Sequence, residues 1–69
     1  MDRSNASYSN KMIKAYVEEI TKQKKLIKRN FEEMDFENAD ARNKFKEIVN
    51  EMIRNCDSLI SKLNSYSFK

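Results

Sequence analysis

The chain contains neither glycine nor proline in its 69 residues. Chains most often turn or interrupt a helix with these two residue types, and average usage would supply roughly eight of them here. Apolar residues also recur at every seventh position through much of the chain. They are Ile13, Ile20, Ile27, Met34, Ala41 and Ile48. A heptad ladder without helix breakers predicts an all-α protein.

The apolar spacing further predicts two helices that fold back as an antiparallel helical hairpin over residues 8–64. We expect a flexible N-terminal tail at 1–7, a helix at about 8–34, a turn at about 35–38, a second helix at about 38–64 and a frayed C-terminal tail at 65–69. Such a hairpin brings the apolar stripes of both helices together.

The turn is predicted from capping and charge. Asp35 and Asn38 are favoured N-cap residues, and Glu33 would repel Glu37 at i, i+4 if one helix ran straight through. The unbroken heptad ladder favours the alternative, a single long helix in a parallel coiled coil, and a three-helix arrangement is also open. The second seam of that coiled coil would be Val17, Lys24, Phe31, Asn38, Phe45, Met52 and Leu59.

The apolar positions of the second helix cover an arc of roughly 160°, which is wider than a two-helix seam needs. A lone hairpin therefore leaves apolar surface in water, and we expect it to assemble into a bundle, most simply a four-helix bundle. The partner would be a second copy, giving a homodimer, or another helical protein. The expected interface residues are Ile13, Val17, Ile20, Ile27, Phe31, Phe45, Ile48, Met52, Ile53, Leu59 and Ile60.

No residue pattern indicates catalysis. The chain has no histidine to carry protons at neutral pH and no glycine-rich loop to hold phosphate. Its single cysteine, Cys56, falls on the apolar side of the second helix and is expected to be a buried structural thiol. We therefore expect no catalytic, cofactor-binding or metal-binding residues. The predicted function is a non-enzymatic helical module for protein–protein interaction or oligomerisation, with a regulatory or adaptor role.

The net charge of +3 is concentrated in the first half, where residues 1–34 carry eight Lys/Arg and five Asp/Glu. An alternative function follows from this charge, namely a small basic helical regulator that binds RNA or DNA phosphates through the outer face of the first helix. The residues that would make these contacts are Lys14, Lys22, Lys25, Lys28 and Arg29.

The acidic residues of the connecting segment are expected to form a solvated, capped turn rather than a cation site, because their spacing does not match a calcium loop. They are Glu32, Glu33, Asp35, Glu37 and Asp40. The longest apolar run, residues 15–17, is far too short for a transmembrane segment or a signal-peptide core. Together with the single cysteine, this predicts an intracellular protein, cytoplasmic or nuclear.

Overall fold

The computed structural model describes residues 2–68, with side chains from Ala6 onward. The chain forms two α-helices, α1 at Asp2–Glu33 and α2 at Ala39–Asn64, which pack against each other along their length. This confirms the predicted all-helical hairpin. The single long helix is wrong, because residues 34–38 leave the helical conformation and reverse the chain.

Asn38 starts α2 as its N-cap residue. Its backbone is extended, with φ −162° and ψ 173°, and its side-chain Oδ1 accepts a hydrogen bond of 2.8 Å from the backbone N–H of Ala41. Asp40 lies in the first turn, where the helix dipole favours a negative charge. The capping preference of an asparagine therefore starts α2 after a turn that contains no glycine or proline.

An aromatic cluster closes the same end of the hairpin. The ring centroid of Phe36, which lies in the turn, is 5.6 Å from that of Phe31 in α1 and 5.8 Å from that of Phe45 in α2. Phe31 and Phe45 are themselves 6.2 Å apart and nearly parallel. The Arg42 guanidinium lies 5.0 Å from the centre of the Phe31 ring, a cation–π distance. The turn is thus packed by its own side chains.

The seam between the helices follows a heptad pattern in α1 and departs from it in α2. The inward-facing residues of α1 alternate steps of four and three. They are Ala6, Asn10, Ile13, Val17, Ile20, Lys24, Ile27 and Phe31. Those of α2 begin with three steps of four. They are Ala41, Phe45, Val49, Ile53, Cys56, Ile60 and Leu63. The turn changes which side of the helix faces the seam. The seven-residue ladder of the first half therefore does not continue to Ile48, which is 52% exposed.

The two chain ends meet at the other end of the hairpin. The Asn10 side chain accepts a hydrogen bond of 2.9 Å from the Phe68 backbone N–H and donates one of 3.3 Å to the Phe68 carbonyl. The segment after α2, predicted to fray, is therefore held against α1. Helix α1 begins at Asp2, earlier than the predicted start near residue 8. Ala6 is half-buried and continues the heptad spacing of α1 by one more step before Asn10.

The hairpin is a single layer. Its Cα atoms span 59 × 17 × 9 Å, and its thinnest dimension is that of one helix backbone rather than two stacked layers. Among the described side chains, only Phe31, Val49 and Cys56 are buried to 9% exposure or less. The seam alone therefore builds a very small core.

Candidate interaction surface

The predicted interface residues divide into two groups. Most of them lie half-buried or buried in the seam of the hairpin itself. This group is Ile13, Val17, Ile20, Ile27, Phe31, Phe45, Ile53 and Ile60. The remaining three, Ile48, Met52 and Leu59, are exposed. The first group holds the two helices together, and only the second is free to meet another chain.

Ile48, Met52 and Leu59 form a strip along α2. Their spacing of four and seven residues places them on one side of the helix, roughly 65° around its axis from the seam. Their side chains are 52%, 37% and 49% exposed, respectively. Asn55 continues the strip between Met52 and Leu59 as its one polar member. This strip explains the wide apolar arc of α2, of which the seam uses only one part.

A matching strip runs along α1. Met12, Tyr16 and Leu26 are exposed large apolar side chains, and helical periodicity places them between about 70° and 150° from the α1 seam. Gln23 and Asn30 lie on the same side and are exposed. None of these five residues is among the interface residues predicted from the sequence. The apolar ones nevertheless form a second periodicity in the sequence, displaced from the seam positions by about one residue.

Both strips project from the same side of the hairpin. They are displaced from their seams in the same rotational sense, and in an antiparallel helix pair this brings them to one face. Residues displaced from the two seams in the other sense also lie on one common side, because Lys28 of α1 and Lys46 of α2 line one groove there. We call the side that carries the two strips the apolar face. Its apolar members are Met12, Tyr16, Ile48, Met52 and Leu59, whereas Leu26 lies at the border of this face and lines a groove with Lys22, Lys25 and Arg29.

The opposite side of the hairpin carries the basic residues. A shallow groove of about 470 Å³ opens beside the aromatic cluster, and its rim holds the cations of Lys28, Arg42 and Lys46 with one acid, Glu32. A second groove of about 400 Å³ lies on α1. Its lining is Lys22, Lys25, Leu26 and Arg29.

The proposed nucleic-acid contacts are all exposed and lie away from the apolar face. They are Lys14, Lys22, Lys25, Lys28 and Arg29. Helix α2 contributes further positive charge on the same side, which the sequence did not reveal.

One ion pair crosses the seam. The Lys24 ammonium lies 2.6 Å from Asp57 Oδ1, and the lysine side chain is 27% exposed. Lys24 occupies an inward-facing heptad position between Ile20 and Ile27. A lysine at such a position specifies which residue of the partner helix it meets. This pair thus links α1 and α2 near the middle of the seam.

The part of the chain that the structure describes brings no metal-binding centre together. No group of three or more Cys, Asp or Glu side chains there is arranged to hold a metal ion. The acidic residues of the turn are exposed, and Asp40 lies 3.4 Å from Lys44. Cys56 is buried in the seam, as predicted, so it is not available to link two hairpins. No helix within residues 2–68 is both long and apolar enough to cross a bilayer.

No family model, curated protein or solved structure matches the chain.

Proposed function

We propose that the chain is a non-enzymatic helical interaction module, which acts by burying its apolar face against the helices of another chain. The observation that carries this proposal is the one-sided exposure of Ile48, Met52 and Leu59 together with Met12 and Tyr16. Scattered apolar residues are common on protein surfaces, whereas exposed apolar residues gathered on one side of a molecule typically mark an interaction site.

The exposed area of the hairpin supports the same proposal. The chain exposes 5955 Å², whereas a compact monomer of 8.2 kDa exposes about 4,500 Å² by the usual scaling of surface with mass. The excess of about 1,400 Å² is larger than the ~800 Å² that each partner buries in an interface of standard size. A second layer of helices on the apolar face would complete a four-helix bundle.

Substitution of Met52 by aspartate tests the proposal. Met52→Asp places a charge in the middle of the apolar face but outside the seam, so it should weaken assembly by tenfold or more because a charge buried without a partner is strongly destabilising. Asn50→Asp is the matched control, since Asn50 lies on the opposite side of α2 and is exposed. Sedimentation equilibrium measures assembly, and circular dichroism at 222 nm measures helicity of the same samples.

Of these two variants, only Met52→Asp should reduce assembly. It should also reduce helicity under conditions in which the helices form only within the assembly. Ile20→Asp should remove helicity under every condition, because Ile20 lies in the seam. A purified chain that is monomeric, fully helical and cooperatively folded, and that Met52→Asp leaves unchanged, would refute the proposal.

A second candidate function is binding of RNA or DNA phosphates through the basic side of the hairpin. The observation that favours it is the addition of Arg42 and Lys46 from α2 to Lys28 of α1 around one groove. Phosphate binding should weaken steeply with rising salt, while apolar assembly should hold or strengthen. Reversing Lys25 and Lys28 to glutamate should abolish nucleic-acid retention in a filter-binding assay and leave assembly unchanged.

A further inference from the structure

We propose that the shallow groove beside the aromatic cluster is a site for two neighbouring phosphates of a nucleic-acid strand. Its cations come from both helices, with Lys28 on α1 and with Arg42 and Lys46 on α2. We call this site the basic groove. The inference rests on the second candidate function, binding of RNA or DNA, and names the residues that hold the phosphates and the charge that they balance.

The basic groove carries an excess of two positive charges. It is lined by the three cations and by one carboxylate, that of Glu32. The ion pairs between described side chains join Lys24 to Asp57 and Lys44 to Asp40, so neither of them uses a cation of the groove. Two phosphodiesters, each with one negative charge, would balance this excess.

Arg42 is held in place for this role. Its guanidinium lies 5.0 Å from the centre of the Phe31 ring, and that ring is itself packed against Phe36 and Phe45. A planar guanidinium can donate two parallel hydrogen bonds to one phosphate. Because the aromatic contact already restricts the arginine side chain, less conformational freedom is lost when the phosphate binds.

The groove offers charge rather than apolar surface. Of the apolar residues that line it, Phe31 and Val49 are only 8% and 5% exposed and Ile53 is half-buried, because the seam of the hairpin already covers them. A protein helix that docks through its apolar side chains would bury little there. A phosphate strand needs only the cations, so the groove fits a nucleic acid better than an acidic helix.

Neutralising the carboxylate of the groove tests the site. Glu32→Gln removes the charge that opposes a phosphate, so it should tighten binding of a labelled single-stranded DNA oligonucleotide by about threefold, the size of one exposed charge interaction. Glu33→Gln is the matched control. It changes the net charge equally, but Glu33 lies about 100° further around α1 and does not line the groove. Fluorescence anisotropy in about 0.15 M salt, which screens distant charges, measures the dissociation constants.

A second pair of variants removes a cation. Lys46→Gln should weaken binding of the same oligonucleotide by about threefold. Lys44→Gln makes the same change in net charge about 200° away around α2, so it should change the dissociation constant little. All four substituted residues are exposed, and circular dichroism checks that each variant is as helical as the unmodified chain.

The outcomes separate this inference from the function on which it rests. Equal effects within each pair of variants would show that only the overall charge matters, and would overturn the groove as the site while leaving nucleic-acid binding in place. An unmodified chain that does not bind the oligonucleotide would overturn both. A polyglutamate peptide that displaces the oligonucleotide at an equal concentration of negative charge would overturn phosphate as the ligand in favour of an acidic protein segment.

Discussion

Lys24 and Asp57 form an ion pair across the seam, with Lys24 Nζ 2.6 Å from Asp57 Oδ1. The lysine occupies a position that a two-helix seam normally fills with an apolar residue, and it turns its ammonium toward the side opposite the apolar face. The pair costs the hairpin some apolar burial near the middle of the seam. In return it links the two helices in the register that the packed turn imposes.

Breaking this ion pair should have a small effect on stability. We expect Asp57→Asn to lower the free energy of unfolding by less than about 1 kcal/mol, because the pair is partly exposed and solvent screens it. The loss should shrink in 1 M salt. Urea unfolding followed by circular dichroism measures it, with Lys44→Gln as the control that removes the exposed Asp40–Lys44 pair instead. A loss of several kcal/mol for Asp57→Asn would show that the pair does more than set register.

Removing the N-cap of α2 should destabilise the hairpin more than removing an ordinary asparagine. Asn38→Ala leaves the Ala41 backbone N–H without its hydrogen bond and should cost about 1 kcal/mol. Asn43→Ala replaces an exposed asparagine inside α2, where alanine is the better helix former, so it should be neutral or stabilising. Thermal unfolding of both variants at one concentration compares them. Equal midpoints would mean that the cap does not hold the turn.

The aromatic cluster should be the most sensitive part of the seam. Phe31→Ala removes a ring that is 8% exposed and packs against Phe36 and Phe45. We expect a loss of about 3–5 kcal/mol, enough to unfold a core this small. Phe31→Leu keeps most of the apolar volume and should cost about 1 kcal/mol. If urea unfolding shows the two variants to be equally stable, the cluster does not close the turn in the way described.

Heptad periodicity in the sequence is enough to predict much of the fold. The spacing of Ile13, Ile20 and Ile27 predicted α1 and its inward face, and the cap at Asn38 predicted where α2 begins. Both are local properties, set by side-chain period and by backbone hydrogen bonding within a few residues. They can therefore be recognised without knowledge of the partner helix.

The faces of α2 could not be assigned in the same way. Ile48 and Val49 are adjacent and both apolar, and which of them turns inward depends on the phase that the turn imposes. The structure buries Val49 to 5% exposure and leaves Ile48 in solvent. The bond between Asn10 and Phe68 was equally hidden, since it joins residues 58 positions apart. Such contacts depend on how the whole hairpin closes.

Loss of the Asn10 side chain should free the C-terminal segment without unfolding the helices. Asn10→Ala removes both hydrogen bonds to the Phe68 backbone, so the Phe68 amide proton should exchange with solvent at least tenfold faster, while α2 amides are unaffected. Hydrogen exchange followed by NMR measures both. Asn50→Ala serves as the control, and a Phe68 amide equally protected in both variants would contradict the assignment.

The thermal unfolding midpoint of the unmodified chain, measured by circular dichroism over a hundredfold range of concentration, tests the central claim most directly. If the chain assembles with itself through the apolar face, unfolding is coupled to dissociation and the midpoint rises steadily with concentration. A single cooperative transition whose midpoint stays constant across that range would show that the hairpin is stable alone, and would contradict the account.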